Sequence, residues 1–220
     1  MLTDFRKQKN IQRKAQTKSR LLDSAAAAFS RAGFHKTLIS DIVADAGVGQ
    51  GTFYRYFDSK REIFEALFDR LTTEIMAEFT PMSSKLPGDA SEYQKSSSAL
   101  LKRLATVVEH NRDLVLLFLR QGPSIDRDFE TRMTAVYDQI ARLAQHYLDH
   151  ASKSGFARSC NSDLVAQAII GMALRLVDLW LDNRLPASPI EDVIDELVNF
   201  AFWGFGADSV PQDFSKGEIR

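Results

Sequence analysis

Cysteine is almost absent from this chain, which has one among its 220 residues. That residue, Cys160, cannot form an internal disulfide. A lone thiol of this kind fits a reducing compartment. We therefore expect a cytoplasmic protein whose stability comes from packing rather than from cross-links.

Long uninterrupted hydrophobic runs are also missing. The best candidate for a membrane span, Leu164–Leu181, is broken by Gln167, Arg175 and Asp178. No apolar segment of the signal-peptide type follows the N-terminal residues. We expect neither a secretory leader nor a membrane partner. Hydrophobic residues still make up 45% of the chain and charged residues 26%, the balance of a globular protein with a substantial core.

Recognisable catalytic constellations are lacking as well. No nucleophile stands beside a base, and no pair of carboxylates forms a known motif. His146 and His150 have the spacing of two zinc ligands on one helix, but no third ligand is evident, and a solvated helix face explains them better. We expect no enzyme activity, no metal and no cofactor.

The charge is divided unevenly along the chain, although its net value is only −1. Residues 1–60 carry eleven basic and five acidic side chains, a formal charge of +6, which leaves −7 on the remainder. A basic head on an acidic body is typical of a protein whose one end meets a polyanion. A merely solvated basic tail would give the same count.

Hydrophobic periodicity is helical almost everywhere, and no segment alternates as a strand would. The sequence therefore predicts an all-α protein. A linker is expected between Pro81 and Ser91, and a break at Leu185–Pro189. The first predicted helix begins just after Thr17 and ends at Gly33. Further helices are predicted at about 37–47, 50–57, 59–79, 92–110, 112–121, 125–152, 163–181 and 190–206.

Two of these short helices flank the turn Ala46-Gly47-Val48, which is the pattern of a helix-turn-helix. Gly47 provides the backbone freedom that such a turn needs. Thr37 is the expected N-cap of the first helix, and Ser59-Lys-Arg-Glu62 has the form of a capping box at the start of the helix that follows.

The segment after the turn is rich in groups that can bind DNA. Gln50, Thr52, Tyr54, Arg55 and Tyr56 offer hydrogen bonds to base edges or phosphates. Gly51 would let the backbone approach the groove, and Lys60 would add its charge to a helix N-terminus as a phosphate clamp. Alternatively, Tyr54 and Tyr56 are core aromatics of a small bundle.

Residues Thr37–Lys60 resemble the DNA-binding signature of the TetR/AcrR family of regulators, most closely at Ala46-Gly-Val48 and Gly51-Thr-Phe-Tyr-x-Tyr-Phe-x-x-Lys60. The resemblance implies that Gln50, Gly51, Thr52 and Tyr54 face bases. It also implies that phosphates are contacted by Tyr56, Lys60, Thr37 and Ser40. Tyr56 stands where histidine is frequent in the family, and Val43 where alanine is usual.

The resemblance also implies a domain organisation. Residues 1–60 would form a three-helix DNA-binding domain with a basic N-terminal tail, joined by a linking helix to a larger helical ligand-binding and dimerisation domain over 61–220. The last two long helices carry more apolar surface than one bundle face needs, which favours a homodimer on a palindromic operator. Burial of both helices within one chain is the alternative.

A pocket for a small, largely apolar effector is expected among the central helices, although a helical stripe of aromatics can equally be plain core. The candidate lining residues are Phe79, Phe118, Arg120, Phe129, Met133, Tyr137, Met172, Arg175, Asp178 and Trp180. The function predicted is a ligand-released repressor. An activator or a ligand-independent regulator with the same DNA-binding head is the alternative.

Overall fold

The computed structural model describes residues 2–80, 86–185 and 189–205, with side chains from Arg6 to Phe202 within those ranges. The described residues contain α-helices and one short 3-10 turn, Gly122–Ser124, and no strand. The helices are α1 (Leu2–Ala32), α2 (Ile39–Asp45), α3 (Gln50–Phe53), α4 (Lys60–Ala77), α5 (Ala90–His110), α6 (Arg112–Gln121), α7 (Arg127–Lys153), α8 (Ser162–Leu181) and α9 (Ile190–Phe205).

The all-α prediction is confirmed, and most helix limits agree with the sequence pattern. The largest difference is at the N-terminus, where α1 begins at Leu2 rather than after Thr17. The predicted basic tail is therefore helical. The helix after the turn is shorter than predicted and ends at Phe53. The first half of the predicted linker, 81–85, and the central part of the predicted break, 186–188, lie outside the described residues.

The described residues form two compact units. The N-terminal unit comprises residues up to Thr73 together with Asn111–Thr131, and the other unit comprises Glu74–His110 together with the chain from Arg132 onward. These compact units do not test where the DNA-binding domain ends. The predicted domain boundary at Lys60 therefore stays a prediction. The compact unit that contains the predicted DNA-binding residues also includes α6.

The core of the N-terminal unit is a cluster of phenylalanines. Phe29, Phe64 and Phe129 are fully buried. Phe64 contacts Phe29 edge-on at 5.3 Å between ring centroids, and Phe118 at 5.0 Å. Phe68 contacts Phe129 at 5.0 Å. Edge-on aromatic pairs of this kind add to the free energy gained by burying their area.

Gly33 follows α1 at the predicted end of the helix and adopts the left-handed conformation, with φ +81°. A Cβ at this position would lie 2.8 Å from Oε1 of Gln121 on α6. The same oxygen accepts a hydrogen bond from the Phe34 backbone N–H at 3.2 Å. Gly33 is thus required for its backbone angle, and a Cβ there would also displace the Gln121 side chain.

The second unit has a layer of tyrosines between its helices. Tyr93 on α5 stacks on Tyr147 of α7 with 4.5 Å between ring centroids, and both are buried. α9 is tied to α5 by a hydrogen bond from Gln94 to Asn199 at 2.8 Å and by an ion pair between Lys102 and Asp195 at 3.1 Å. The hydrogen bond that Ser98 donates lowers the pKa of Asp195.

Helix α8 is strongly apolar, and by length and composition it could cross a membrane. Within the chain only its Ala166 and Leu181 are buried. Leu164 is 66% exposed. Arg175 and Asp178, which interrupt its apolar surface, form an ion pair with each other at 2.9 Å.

Candidate nucleic-acid interface and internal cavity

The turn between α2 and α3 is built by Gly47, whose φ of +62° is left-handed. The Gly47 N–H donates to the Ala44 carbonyl oxygen at 3.1 Å, and the Val48 N–H donates to the Val43 carbonyl at 3.0 Å. These bonds satisfy the end of α2 before the chain turns into α3. Buried Ile42 and Val43 on α2, and Phe53 on α3, hold the two helices together.

The segment from Gln50 to Tyr56 presents its polar groups outward, as predicted. Gln50, Gly51, Tyr54 and Arg55 are exposed, while Thr52 and Tyr56 are half-buried. Tyr54 is 53% exposed, and its ring lies edge-on to that of Phe53 with 5.5 Å between the centroids. A Cβ on Gly51 would meet no protein atom within 4 Å. The fold itself therefore does not require glycine at position 51.

Ser40 is also exposed, on the first turn of α2, but Thr37 is not. Thr37 is 1% exposed, and its hydroxyl lies 2.8 Å from the Gly33 carbonyl oxygen and 3.2 Å from that of Ala28. The predicted N-cap role is wrong, because α2 begins at Ile39 and the Asp41 carboxylate accepts from the Leu38 N–H at 2.9 Å. A hydroxyl enclosed in this way is out of reach of a phosphate.

Lys60 lies at the start of α4 as predicted, but its ammonium group faces the protein. Nζ donates to the carbonyl oxygens of Phe34 at 2.7 Å, His35 at 3.2 Å and Thr37 at 2.8 Å. It also lies 4.7 Å from the centroid of the Phe34 ring. Burial lowers the pKa of Lys60. Since an ammonium has three donors, this geometry leaves none for the phosphate contact that the sequence suggested.

The capping box at the same helix is confirmed in one of its two bonds. Ser59 Oγ accepts from the Glu62 N–H at 3.1 Å. The Glu62 carboxylate reaches one residue further back than the motif predicts and accepts from the Asp58 N–H. These two hydrogen bonds stabilise the first turn of α4, which carries Lys60.

Four of the predicted pocket residues meet around one cavity in the second unit. The cavity has a volume of about 300 Å³ and is bounded by helices α5, α7, α8 and α9 and by the end of α4. Its lining includes Phe79, Tyr137, Met172 and Trp180. Of the lining residues in the described part of the chain, none carries a charge.

The other six predicted pocket residues do not line this cavity. Phe118 and Phe129 belong to the phenylalanine core of the N-terminal unit, and Arg120 is exposed on α6 in that unit. Met133 is buried apart from the lining, and Arg175 and Asp178 pair with each other on α8. A helical stripe of aromatics looks the same in sequence whether it packs in a core or faces a cavity.

Sequence reasoning missed the polar groups that do border the cavity, namely Tyr93, Gln94, Ser97 and Tyr147. Tyr147 is 4% exposed, and its hydroxyl has no hydrogen-bond partner among the described residues. Burial raises the pKa of Tyr147, and the neighbouring Ser96 side chain opposes that shift. The sequence did contain a signal for these groups, because tyrosines occur within an apolar helical stripe. A buried tyrosine hydroxyl normally needs a hydrogen-bond partner.

Comparison with known proteins agrees with the helix-turn-helix. Residues 21–67 match the family model described as bacterial regulatory proteins, tetR family. The segment that carries the helix-turn-helix therefore belongs to the TetR family of regulators. The chain's similarity to the regulator YdgC of Bacillus subtilis is 27% identity over 83% of this chain and 91% of that protein. A DNA-binding transcriptional regulator is therefore its general function.

The similarity in fold to solved structures extends beyond the matched segment. A TetR regulator from Chloroflexus aurantiacus has a TM-score of 0.71 at 20% identity, covering 89% of this chain and 98% of that one. FadR from Bacillus subtilis, solved in complex with stearoyl-CoA, has a TM-score of 0.70 at 16% identity, covering 88% and 99%. The fold is an N-terminal helix-turn-helix domain followed by a larger helical domain.

Proposed function

We propose that this TetR-family regulator is a cytoplasmic repressor that binds a palindromic operator as a homodimer and leaves it when a small apolar effector binds. The observation that carries the DNA-binding part is the outward display of Gln50, Tyr54 and Arg55 on a segment whose other face is locked by buried Phe53 and Phe57. Rigid presentation of polar groups is what base readout requires.

Base readout by Tyr54 is tested by replacing it with alanine. We expect Tyr54→Ala to weaken binding to the preferred site by about 1–3 kcal/mol and to relax base preference there. The preferred duplex is first selected by the protein from a random pool, and affinities are then measured by fluorescence anisotropy. Thr73→Ala, which truncates another exposed side chain of the same unit, should bind as the wild type does. Retention of full base preference by Tyr54→Ala would remove Tyr54 from the readout.

The uncharged cavity carries the effector part of the proposal. An ionised group buried there would have no counter-charge in its described lining, and burial of an unpaired charge costs several kcal/mol. The unpartnered Tyr147 hydroxyl would suit one hydrogen-bonding group on an otherwise apolar ligand. A neutral ligand is therefore favoured over a carboxylate, and the phosphates of a coenzyme A thioester such as that bound by FadR would find no cation in this lining.

Filling the cavity should abolish the response to effector. Ala173 lines the cavity, and Ala173→Phe would occupy part of its volume of about 300 Å³. We expect an aliphatic alcohol to lower operator affinity of the wild type by roughly 5–150-fold, the usual range of coupling between two sites. Ala173→Phe should bind the operator normally but show almost no ligand-induced change.

The matched control for that variant is Ala135→Phe, because Ala135 is exposed on α7 and is not part of the lining. It should keep the wild-type response. The alcohol is compared with the carboxylate of the same chain length, which should act weakly if the uncharged lining decides specificity. A carboxylate that acts as strongly as the alcohol would contradict the proposed ligand class.

A further inference from the structure

The N-terminal turns of α1 form a basic arm, which we define as residues 2–20. The family match begins at Leu21, so the arm precedes the segment that the family model describes. Between residues 6 and 20 every side chain except that of Thr17 is exposed. This stretch has no acidic residue and contains seven basic ones: Arg6, Lys7, Lys9, Arg13, Lys14, Lys18 and Arg20.

The basic side chains of the arm have no acidic partners in the fold. None of the seven forms an ion pair among the described residues, whereas Arg31, Arg61 and Arg70 of the same unit are paired with carboxylates. Between residues 6 and 20 the arm also buries no apolar side chain, and Ile11 is 61% exposed. A helix of roughly 30 Å that carries seven cations without acidic partners has the charge that attracts a polyanion.

Helical geometry indicates which side of the arm meets that partner. Lys7, Lys14 and Lys18 are spaced by seven and four residues, so they share one face. The same face continues into Leu21 and Ala25, which are fully buried against the rest of the unit. The lysine face therefore lies on the same side of α1 as the residues that pack on the helix-turn-helix. It continues that side toward the N-terminus, beyond the packed residues.

The first contact between the arm and the predicted recognition segment is present in the structure. Nζ of Lys18 lies 5.6 Å from the centroid of the Phe57 ring, and Phe57 closes the turn after α3. The lysine face thus starts beside the segment that carries Tyr54 and Arg55 and continues away from it. DNA bound by that segment would run past the lysine face.

We propose that Lys7 and Lys14 bind phosphates of the DNA that flanks the operator, so that the arm lengthens the contact beyond the helix-turn-helix. This proposal rests on the proposed DNA-binding function. The contribution is independent of base sequence, because the lysines meet only the phosphate backbone. Its signature is a change in the salt dependence of binding.

The test compares two double variants that remove the same charge from neighbouring faces. Arg6 and Arg13 have the spacing of Lys7 and Lys14 but lie one residue earlier, which rotates them by about 100° around the helix. Binding of K7Q/K14Q, R6Q/R13Q and wild type is measured by anisotropy between roughly 50 and 200 mM salt. The duplex is the site selected from a random pool, with flanks of about one helical turn, or 10 base pairs, on each side.

We expect the slope of log affinity against log salt to become shallower by about 0.9 for each lost phosphate contact in K7Q/K14Q, and to stay near the wild-type value in R6Q/R13Q. On a duplex trimmed to the selected site, K7Q/K14Q and wild type should have equal slopes. An unchanged slope for K7Q/K14Q, or an equal loss in R6Q/R13Q, overturns the proposal. Failure of the wild type to select any sequence would instead overturn the proposed function, and slopes on the unselected pool would still test the arm.

Discussion

Lys60→Ala should destabilise the N-terminal unit by about 2–3 kcal/mol and leave the salt dependence of DNA binding unchanged. The Lys60 ammonium satisfies three carbonyl oxygens of the chain between α1 and α2. Hydrogen bonds to a charged group are worth about 1.5–3 kcal/mol each, but partial exposure lets water replace some of them. The expected loss is therefore smaller than the sum of three bonds.

Operator affinity should fall in the same variant for an indirect reason. The Phe34, His35 and Thr37 carbonyls belong to the segment that leads into α2, and α2 sets the position of α3 through the turn at Gly47. Without these hydrogen bonds the segment adopts its native conformation in a smaller fraction of the molecules. The apparent affinity for DNA falls in proportion to that fraction. Unfolding in urea gives the stability, and a salt titration of DNA binding gives the slope.

Lys36→Ala is the matched control, since Lys36 is an exposed cation of the same segment with no hydrogen bond or ion pair to the described residues. It removes the same charge without uncovering a carbonyl and should unfold at the wild-type urea concentration. A contrary result would be a Lys60→Ala protein of normal stability with a shallower salt slope. That outcome would restore the phosphate clamp that the sequence suggested.

The roles of Lys60 and Thr37 show where sequence reasoning reaches its limit. Threonine at the start of a helix and lysine at a helix N-terminus both have reasonable local roles, and local rules assigned them. The structure uses both residues to satisfy carbonyl groups in and just beyond the C-terminal turns of α1. The carbonyl partners of Lys60 lie more than one helix away along the chain. Those of Thr37 are brought close by the turn at Gly33. Sequence spacing alone therefore reveals neither set of partners.

The helix-turn-helix was predictable because its determinants are local. Each determinant contacts residues only a few positions away in sequence. This holds for Gly47, for the apolar residues of α2 and for Ser59, and each has the predicted geometry. The helical arm was missed for the opposite reason, because it has no apolar stripe from which a period can be read. Its lysines, arginines, glutamines and alanine favour helix by intrinsic propensity alone.

Placing a charge on the exposed apolar surface of α8 should convert the protein to a monomer. Leu164 on α8 is 66% exposed and Phe200 on α9 is 63% exposed, although both helices are strongly apolar. Within one chain α8 buries only Ala166 and Leu181. A second copy packing α8 and α9 against the same pair of helices would cover this surface in a twofold arrangement.

In a twofold interface the substitution Leu164→Asp appears in both protomers. An unpaired charge enclosed in an interface costs about 2–5 kcal/mol, so two of them weaken dimerisation by at least about 4 kcal/mol, or nearly a thousand-fold. We expect a mass near 24.7 kDa by light scattering, against twice that value for the wild type. Binding to the palindromic site should fall together with the mass, because one recognition segment then reads only half of it.

Ile11→Asp makes the same change at a residue with nearly the same exposure, 61%, on the arm of α1. This control should remain a dimer, because the arm is not part of the proposed interface. A Leu164→Asp protein that keeps the wild-type mass would mean that α8 is covered by something other than a second copy. A wild-type protein that is monomeric at micromolar concentration would exclude the dimer itself, and with it the reading of two half-sites by one assembly.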